Sequence, residues 1–179
     1  TVIRPADAVE TAEAWEVAAT SEATPTALCL SRQGLPTLRP ADTEANLVAR
    51  GAYVLREPGG GRDVTLIATG SEVEIALRAA DLLAESEIRA AVVSAPSFEL
   101  FAAQPAEYRL DVRGHAPRVG VEAAVRQGWE VFLERSDAFV GMTGFGASAP
   151  AAELYRHFGI TAEAVADAAQ RLVAARLGA

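Results

Sequence analysis

The length and composition of the chain are those of a globular protein. Its 179 residues are 50% hydrophobic and 22% charged, which is too apolar for a disordered chain and enough for one domain, or one domain and part of another. The formal net charge is −8, and every basic residue is an arginine. Without a basic cluster to neutralise phosphates, we expect no nucleic-acid partner and no membrane partner.

The lysine and cysteine content excludes some kinds of chemistry and bears on the cellular compartment. No lysine occurs, which excludes a Schiff-base lysine and a P-loop lysine. Cys29 is the single cysteine, so no disulfide can form within the chain. No apolar run reaches about 18 residues, and residues 1–5 lack the pattern of a signal peptide. We therefore expect a cytoplasmic protein.

The first 50 residues predict an extended segment, a helix and a buried strand. Residues 2–3 are extended, and apolar residues at helical spacing follow over residues 7–21. Residues 27–31 form a short apolar run without alternation, which is typical of a strand covered on both faces. Cys29 within that run is expected to be an inert buried thiol. Residues 34–50 have weak periodicity and two prolines, so we place a domain boundary there.

Strands and helices alternate through the rest of the chain. Predicted strands at 53–57 and 64–69 are joined by a glycine-rich link, which predicts an antiparallel hairpin. A helix over 71–85 follows, with Ser71 as its N-cap. This alternation predicts a three-layer α/β/α fold with a mostly parallel sheet and one antiparallel hairpin strand. The later elements are strands at 90–94, 119–122 and 139–142 and helical stretches at 97–108, 124–135, 150–158 and 161–177. Trp129 and Phe132 are expected to face inward, Gly159 to close the helix at 150–158 and Thr161 to cap the helix at 161–177.

Two loops, one carboxylate and two histidines have structural interpretations that outweigh functional ones. Residues 68–72 lead into a helix N-terminus that could hold an anion, but a tight turn is favoured because no G-x-G-x-x-G is present. The loop at 141–150 could approach a phosphate, but a compact turn against a neighbouring domain or subunit is favoured. Glu122 is favoured as an ion-pair partner over a site carboxylate. His115 lies in a loop, His157 is expected at a surface or an interface, and neither has metal-ligand spacing.

Arg32 is the strongest local candidate for ligand binding. It follows an apolar strand, within the run Ser31-Arg32-Gln33, and is expected at the carboxyl edge of a sheet, where ligands of open α/β sheets bind. A guanidinium group suits bidentate binding of phosphate or carboxylate. From the residues alone, an interdomain salt bridge explains Arg32 equally well.

An ordered set of short motifs along the chain resembles the transketolase family. Each motif is weak by itself, but together they cover nearly the whole chain in order, and the Ser-Arg-Gln run fits transketolase better than deoxyxylulose-phosphate synthase or the β subunits of 2-oxoacid dehydrogenases. One group resembles the second half of the pyrimidine-binding domain: VIRPAD at 2–7, ET at 10–11, PTAL at 25–28, SRQ at 31–33 and LP at 35–36. The other resembles the C-terminal domain: GAYVL at 51–55, IATGSEV at 67–73, VVSAPS at 92–97, RVGVEA at 118–123, GMT at 141–143 and FGASAP at 145–150.

The resemblance implies an activity, cofactors and partners. The activity is transfer of a two-carbon ketol unit between ketose and aldose phosphates in the pentose phosphate pathway. The implied cofactors are thiamine diphosphate and Mg²⁺ or another divalent metal, the substrates are sugar phosphates, and the complete enzyme is a homodimer. By match to the Ser-Arg-Gln motif, Arg32 would hold the phosphate of the sugar. No other catalytic, cofactor-binding or metal-binding residue is assigned in this chain.

The same resemblance divides the chain into parts. Residues 1–40 would be a remnant of the pyrimidine-binding domain, preceding the three-layer fold as a second α/β unit. Residues 41–51 would be a linker and residues 52–179 the whole C-terminal domain. The motifs for the cofactor would precede Thr1, so we expect a C-terminal fragment that is inactive alone and binds no cofactor. The alternative is a stand-alone, non-catalytic partner subunit or docking module of a split thiamine-diphosphate enzyme.

A remnant domain is expected to leave apolar surface uncovered. Val9, Trp15, Leu28 and Leu30 should be poorly covered, since the rest of their sheet is missing. We therefore expect residues 1–45 to be loosely ordered or docked on a neighbouring copy of the chain.

Overall fold

The structure is a computed structural model that describes residues 1–39 and 45–178. Its centre is a five-stranded sheet. A two-stranded sheet lies near the N-terminus. No helix within the described ranges is long and apolar enough to cross a membrane. The strands are β1 (Val2–Ile3), β2 (Ala27–Leu28), β3 (Tyr53–Arg56), β4 (Val64–Ala68), β5 (Ala90–Ser94), β6 (Arg118–Glu122) and β7 (Ala138–Gly141). The helices are α1 (Ala8–Thr20), α2 (Glu72–Glu85), α3 (Phe98–Ala102), α4 (Ala106–Arg113), α5 (Ala151–Phe158) and α6 (Ala162–Leu177), with 3-10 turns at Val48–Arg50 and Trp129–Val131.

β4 lies at the centre of the large sheet, whose order is β3-β5-β4-β6-β7. β4 to β7 are parallel, and β3 runs antiparallel to β5. Every residue of β4, β5 and β6 is buried, as expected when helices cover both faces of a parallel sheet. The predicted three-layer α/β/α fold with one antiparallel strand is therefore confirmed.

The predicted hairpin between β3 and β4 is wrong, because β3 pairs with β5. Tyr53 of β3 lies opposite Ser94 of β5. The link after β3 is held at the start of β5 by Arg89, whose guanidinium pairs with Asp63 at 2.6 Å and also donates to the Gly60 carbonyl. After β3 the chain therefore passes the start of β5 before it re-enters the sheet as β4. In that central place β4 has a strand on each side, which satisfies all of its backbone groups.

Apolar side chains cover both faces of the large sheet. On one face α2, α5 and α6 pack against the strands, with Val73 and Leu83 fully buried. On the other face, Phe101 of α3 packs with Trp129 and Phe132, and the Phe101 and Phe132 rings stack with their centroids 4.6 Å apart. The predicted inward position of Trp129 and Phe132 is confirmed.

Only a short 3-10 turn, Trp129–Val131, forms where a helix is predicted over 124–135. Gly128 precedes the turn with a φ of 90°, a conformation that favours glycine and that an α-helix cannot contain. The turn places the indole of Trp129 over Gly120 of β6, where an added Cβ would lie 2.8 Å from the ring. The predicted helix is therefore wrong, because packing of the indole on the sheet decides the local backbone.

The boundary between α5 and α6 lies where the sequence predicts it. Gly159 ends α5 with a φ of 68°, as expected of a glycine that closes a helix. The Thr161 hydroxyl accepts a hydrogen bond from the Ala164 N–H at 3.3 Å and so caps α6. Both predictions are confirmed.

Residues 1–39 dock on the large sheet of their own chain, contrary to the expectation of loose order or docking on a neighbouring copy. The Arg4 N–H donates to the Pro96 carbonyl at 2.8 Å, and the Arg4 carbonyl accepts from the Gly70 N–H at 3.2 Å. Ile3 is fully buried in a small apolar cluster beneath α1. Backbone bonds to the ends of the large sheet therefore hold this segment in place.

The predicted linker at residues 41–51 is described from residue 45 onward. Residue 40, where the first predicted domain ends, lies outside the described residues, as do residues 41–44 and residue 179. In the described part, the Asn46 side-chain amide donates to the Glu13 carbonyl at 2.9 Å, so this stretch is bonded to α1.

The buried strand predicted at residues 27–31 is shorter and more exposed than expected. β2 has two residues and pairs with β1 alone among the described strands. Cys29 is exposed, so the prediction of an inert buried thiol is wrong; the run lacks a covering layer in the described structure. Of the four side chains predicted to be poorly covered, Trp15 and Leu30 are 60% and 54% exposed, as expected. Val9 and Leu28 are partly buried.

Candidate functional site

The carboxyl ends of β4 and β6 mark the point where the chain changes direction across the sheet. After β4 the chain moves to β5 on one side, and after β5 it moves to β6 on the other. Ligands of open α/β sheets bind in this kind of crevice. Here the Gly70 N–H donates to the Arg4 carbonyl, and the Arg4 guanidinium lies 3.5 Å from the Glu122 carboxylate. The N-terminal segment of the chain therefore fills the crevice.

The turn at residues 68–72 is a tight connection between strand and helix, as favoured from the sequence. The Glu72 N–H donates to the Thr69 carbonyl at 3.3 Å, and the Val73 N–H donates to the Gly70 carbonyl at 3.2 Å. The side chain of Glu72 is buried beside these amides. Amides that already have partners, next to a carboxyl group, do not favour an anion.

Glu122 has a structural role, also as favoured from the sequence. Its carboxylate accepts a hydrogen bond from the indole N–H of Trp129 at 2.7 Å and faces the guanidinium of Arg4. Arg4 in turn lies over the Phe98 ring, 5.7 Å from its centroid. A buried carboxylate needs such partners, and this one ties the N-terminal segment to β6.

Ser71, Glu72 and Tyr155 form a hydrogen-bonded cluster beside the crevice. The hydroxyl of Tyr155, on α5, donates to the Glu72 carboxyl group, and Ser71 Oγ lies 2.8 Å from that hydroxyl and 3.0 Å from Glu72 Oε1. Ser71 occupies the N-cap position of α2 as predicted, but its side chain makes no capping bond to a helix amide, because its hydroxyl is engaged by α5. Burial raises the pKa of Glu72, and burial together with Glu72 raises the pKa of Tyr155.

The segment after β2 lies against this cluster. Gln33 lies close to Tyr155, since both residues line the same two cavities, and its side chain partly offsets the rise in the pKa of Tyr155. Ser31 and Gln33 line a cavity of about 330 Å³ together with Glu72 and Tyr155. Gly146, from the loop between β7 and α5, lines the same cavity. This loop therefore lies near the first segment, which fits its structural interpretation.

Arg32 projects from this segment with an exposed side chain. It makes no hydrogen bond or ion pair with any residue in the part of the chain that the structure describes. The interdomain salt bridge that the sequence left open is thus absent from residues 1–39 and 45–178. The guanidinium stays available to a ligand, and its phosphate-binding role stays a prediction.

A second buried carboxyl group, which sequence reasoning did not single out, joins α1 to the sheet. Glu10 Oε1 accepts from the Tyr53 hydroxyl at 2.7 Å and from the Ser94 hydroxyl at 2.5 Å, and Oε2 accepts from the Ala6 N–H at 2.6 Å. Burial raises the pKa of Glu10. The Asp7 carboxylate accepts from the Glu10 N–H at 2.8 Å. This capping-box spacing is the signal that could have drawn attention to Glu10.

Arg39 extends the network around Glu10. Its Nε donates to the Tyr53 hydroxyl at 3.0 Å, its guanidinium lies over the Tyr53 ring, and it pairs with Glu13 of α1 at 2.5 Å. Buried polar groups that bond to one another in this way favour one arrangement of the elements that carry them. The network therefore aligns the N-terminal segment on β3 and β5.

Side chains that bind metals do not converge in the described residues. His115 and His157 are both exposed, as expected of surface residues. Within residues 1–39 and 45–178, no three His, Cys, Asp or Glu side chains are grouped so that they could hold a metal ion. The donor set described here does not fit a divalent metal.

Comparison with known proteins relates both parts of the chain to one family. The family described as "Transketolase-like TK C-terminal domain" matches residues 51–161. A transketolase of Cereibacter sphaeroides is 69% identical over 172 residues, which cover 96% of this chain and 26% of that protein. The chain thus spans about a quarter of the length of the curated relatives it matches.

Solved structures agree with this relation. A transketolase from Pichia stipitis, described as a complex with sedoheptulose-7-phosphate, has a TM-score of 0.87 and 36% identity, covering 99% of this chain and 25% of that one. A split-gene transketolase, described as an inactive β4 tetramer, has a TM-score of 0.79 and 27% identity, covering 97% of this chain and 57% of that one.

Proposed function

We propose that this chain, which belongs to the transketolase family, works as the C-terminal part of an enzyme that transfers a two-carbon ketol unit between ketose and aldose phosphates. The observation that carries the proposal is the alignment of 96% of the chain with a transketolase that is 69% identical to it. A shared fold by itself would not support a shared reaction, so the proposal depends on this sequence identity.

Arg32 is the residue through which we propose that this chain contacts substrate. Its guanidinium is exposed and has no partner among the described residues, so binding a phosphate would not require an internal ion pair to break. A planar guanidinium binds phosphate oxygens through two parallel hydrogen bonds. The related Pichia stipitis structure is described with a sugar phosphate, which supports this class of substrate.

Thiamine diphosphate and a divalent metal belong to the proposed whole enzyme rather than to this chain. The donor side chains of the described residues do not fit a metal, and the chain spans about a quarter of its relatives. In this proposal the chain supplies substrate contact and structural support, and it does not turn over substrate alone.

A first experiment compares the 179-residue chain with the complete enzyme that contains it. Both are assayed for ketol transfer with thiamine diphosphate and Mg²⁺. We expect turnover of about 1 to 10³ per second from the complete enzyme and none from the chain alone. Normal turnover by the isolated chain, or none by the complete enzyme, would overturn the proposal.

A second experiment tests Arg32 in the complete enzyme. Loss of charge-assisted hydrogen bonds in Arg32→Ala should raise KM for phosphorylated substrates about 10- to 100-fold, with little change for unphosphorylated ones. Arg135→Ala is a matched control, since Arg135 is also exposed and has no polar partner in the described residues. Equal effects of Arg32→Ala on both substrate types would show that Arg32 does not bind phosphate.

The second candidate function is a separate, non-catalytic partner subunit of a split enzyme. The observation that favours it is the likeness to a split-gene transketolase described as an inactive β4 tetramer. The intact mass of the natural product separates the two candidates. A natural product of this mass, active only after addition of a second polypeptide, would support the split enzyme.

A homodimer, a place in the pentose phosphate pathway and a cytoplasmic location are also parts of this proposal. Sedimentation of the complete enzyme tests the homodimer. The net charge of −8 supports the absence of nucleic-acid and membrane partners, and binding assays with DNA and with anionic vesicles test it.

A further inference from the structure

The segment that carries Arg32 is fixed to the rest of the chain at its two ends. The Cys29 N–H donates to the Ile3 carbonyl of β1, and the Leu38 N–H donates to the Asp7 carboxylate, both at 2.9 Å. Between these points, no backbone group of residues 30–37 is hydrogen-bonded to another part of the described chain. The path of this stretch therefore depends on the two bonds that close it.

Packing restrains the middle of the segment only weakly. Residues 33–35 line a cavity of about 780 Å³ together with the helices α2, α5 and α6. Gly34 has no atom within 4 Å of the place where a Cβ would lie. A backbone that borders open space has few contacts to oppose its motion, so the closing bonds decide where the segment lies.

Asp7 binds both α1 and the segment of Arg32, with a different oxygen for each. Its Oδ1 accepts from the Glu10 N–H at 2.8 Å and caps α1, while its Oδ2 accepts from the Leu38 N–H at 2.9 Å. Asp7 is 4% exposed, so little water competes for these bonds. Capping a helix needs one oxygen only, and the second oxygen makes this carboxylate a clamp on the segment.

The clamp is itself fixed to the large sheet. Glu10, whose N–H binds Asp7, accepts a hydrogen bond from the Tyr53 hydroxyl of β3 at 2.7 Å. Arg39, the residue after Leu38, donates to the same hydroxyl at 3.0 Å. Arg39 acts through a long side chain, whereas the bond to Asp7 holds the main chain directly. A continuous set of bonds thus runs from the sheet through Asp7 to the backbone of the segment.

We propose that Asp7 is a positioning residue for Arg32: its second carboxylate oxygen holds the segment at Leu38, and this sets where the guanidinium meets the phosphate of the substrate. The inference rests on the proposed function of Arg32. It connects the docking of α1 on the large sheet with substrate binding. Without the clamp, the segment samples more positions, and binding of the phosphate must order it at a cost in affinity.

Asp7→Asn in the complete enzyme is the central test. The amide oxygen can still cap α1, since asparagine and aspartate are comparable N-caps, whereas the NH₂ group faces the Leu38 N–H and cannot accept from it. Arg39 retains part of the restraint, so the effect is smaller than the full worth of a hydrogen bond to a charged group. We expect KM for phosphorylated substrates to rise about three- to tenfold, with kcat and the KM for unphosphorylated substrates nearly unchanged.

Two further variants frame this result. Asp7→Ser keeps a hydroxyl that can cap α1 but has no second oxygen for Leu38, so it should raise the same KM. Asp167→Asn is the matched control, because Asp167 is exposed on α6 and has no polar partner in the described residues. The control should leave KM for both types of substrate unchanged.

A double variant and hydrogen exchange test whether Asp7 acts through the segment. If it does, Asp7→Asn adds no further rise in KM when Arg32 is already alanine. Exchange needs no substrate: in the complete enzyme, amides within residues 30–38 should exchange faster in Asp7→Asn than in Asp167→Asn. Amides within α1 should keep their exchange rates, because the cap is retained.

The outcomes separate the inference from the function on which it rests. If Arg32→Ala raises KM selectively and Asp7→Asn changes neither KM nor exchange within residues 30–38, the inference alone is overturned. An equal rise in KM for both substrate types, additive effects in the double variant, or faster exchange throughout α1 also overturns it, since Asp7 would then act through the fold in general. If Arg32→Ala has no selective effect, the proposed role of Arg32 fails and the inference fails with it.

Discussion

Replacement of Glu10 by alanine should separate the N-terminal segment from the sheet. Glu10 is 1% exposed and accepts three hydrogen bonds, from Ala6, Tyr53 and Ser94. These partners come from three parts of the chain: the residues before α1, strand β3 and strand β5. In Glu10→Ala all three donors lose their acceptor within a buried region.

The magnitude follows from those three donors. A buried donor without a partner costs about 1–3 kcal/mol. Water that enters the vacated space satisfies part of the loss. We therefore expect the free energy of unfolding to fall by about 3–5 kcal/mol, a large share of the ~5–15 kcal/mol that stabilises a typical domain.

Glu10→Gln should lower the free energy of unfolding less than Glu10→Ala does, and it should reveal the titration of the Glu10 carboxyl group. The amide oxygen can still accept from Tyr53 and Ser94, while the amide nitrogen faces the Ala6 N–H, so one bond is lost, at about 1–2 kcal/mol. Burial raises the pKa of Glu10 above its ordinary 4.5. The stabilising contribution of the protonated group is therefore complete below pH 4.5 and is lost as the pH rises through the folded-state pKa. The difference in the free energy of unfolding between wild type and Glu10→Gln should become smaller as the pH rises above 4.5.

Urea unfolding of the 179-residue chain measures these effects. Fluorescence of the buried Trp129 reports unfolding of the large sheet, and the exposed Trp15 reports on α1. Glu22→Ala is the control, because Glu22 is exposed and has no polar partner in the described residues; it should change the free energy of unfolding by less than about 0.5 kcal/mol. If Glu10→Ala costs under about 1 kcal/mol, or no more than Glu22→Ala, the network does not hold the segment, and the reasoning is refuted.

Two further predictions concern the large sheet. Gly120→Ala would place a methyl group 2.8 Å from atoms of Trp129 and of Leu133, so thermal unfolding should show a loss of about 1–3 kcal/mol; an unchanged melting temperature would contradict this. Hydrogen bonds from Arg89 lower the pKa of Asp63 to about 2, so the stability that Asp63 contributes is present above pH 3.8 and lost as the pH falls towards 2. The gap in stability between wild type and Asp63→Asn should close over that range in acid unfolding, and a constant gap would rule out this role.

Much of the fold can be predicted from local patterns. The strand over Ala90–Ser94 and the caps at Gly159 and Thr161 lie where predicted, because an unbroken apolar run, a glycine and a threonine act on neighbouring residues. The inward position of Trp129 is likewise a matter of side-chain size and polarity. The family relation was also readable from the order of the motifs.

Other features depend on groups that are distant along the chain. β3 pairs with β5, and Arg89 bonds to the link after β3 across the start of β5; no local pattern displays either contact. Ser71 has the residue type of an N-cap, but Tyr155, 84 positions later, engages its hydroxyl. Both results follow from contacts that only the folded chain creates.

The sequence by itself determined the α/β class, the order of most elements and the membership of a family, because these depend on periodicity and on short motifs. Only the tertiary structure decided how the first 39 residues sit on the sheet. The burial of Glu10 among Tyr53 and Ser94, and the hydrogen bond from Tyr155 to Glu72, join residues far apart in the chain. Partners of a buried polar group are chosen by three-dimensional proximity, so local sequence carries little information about them.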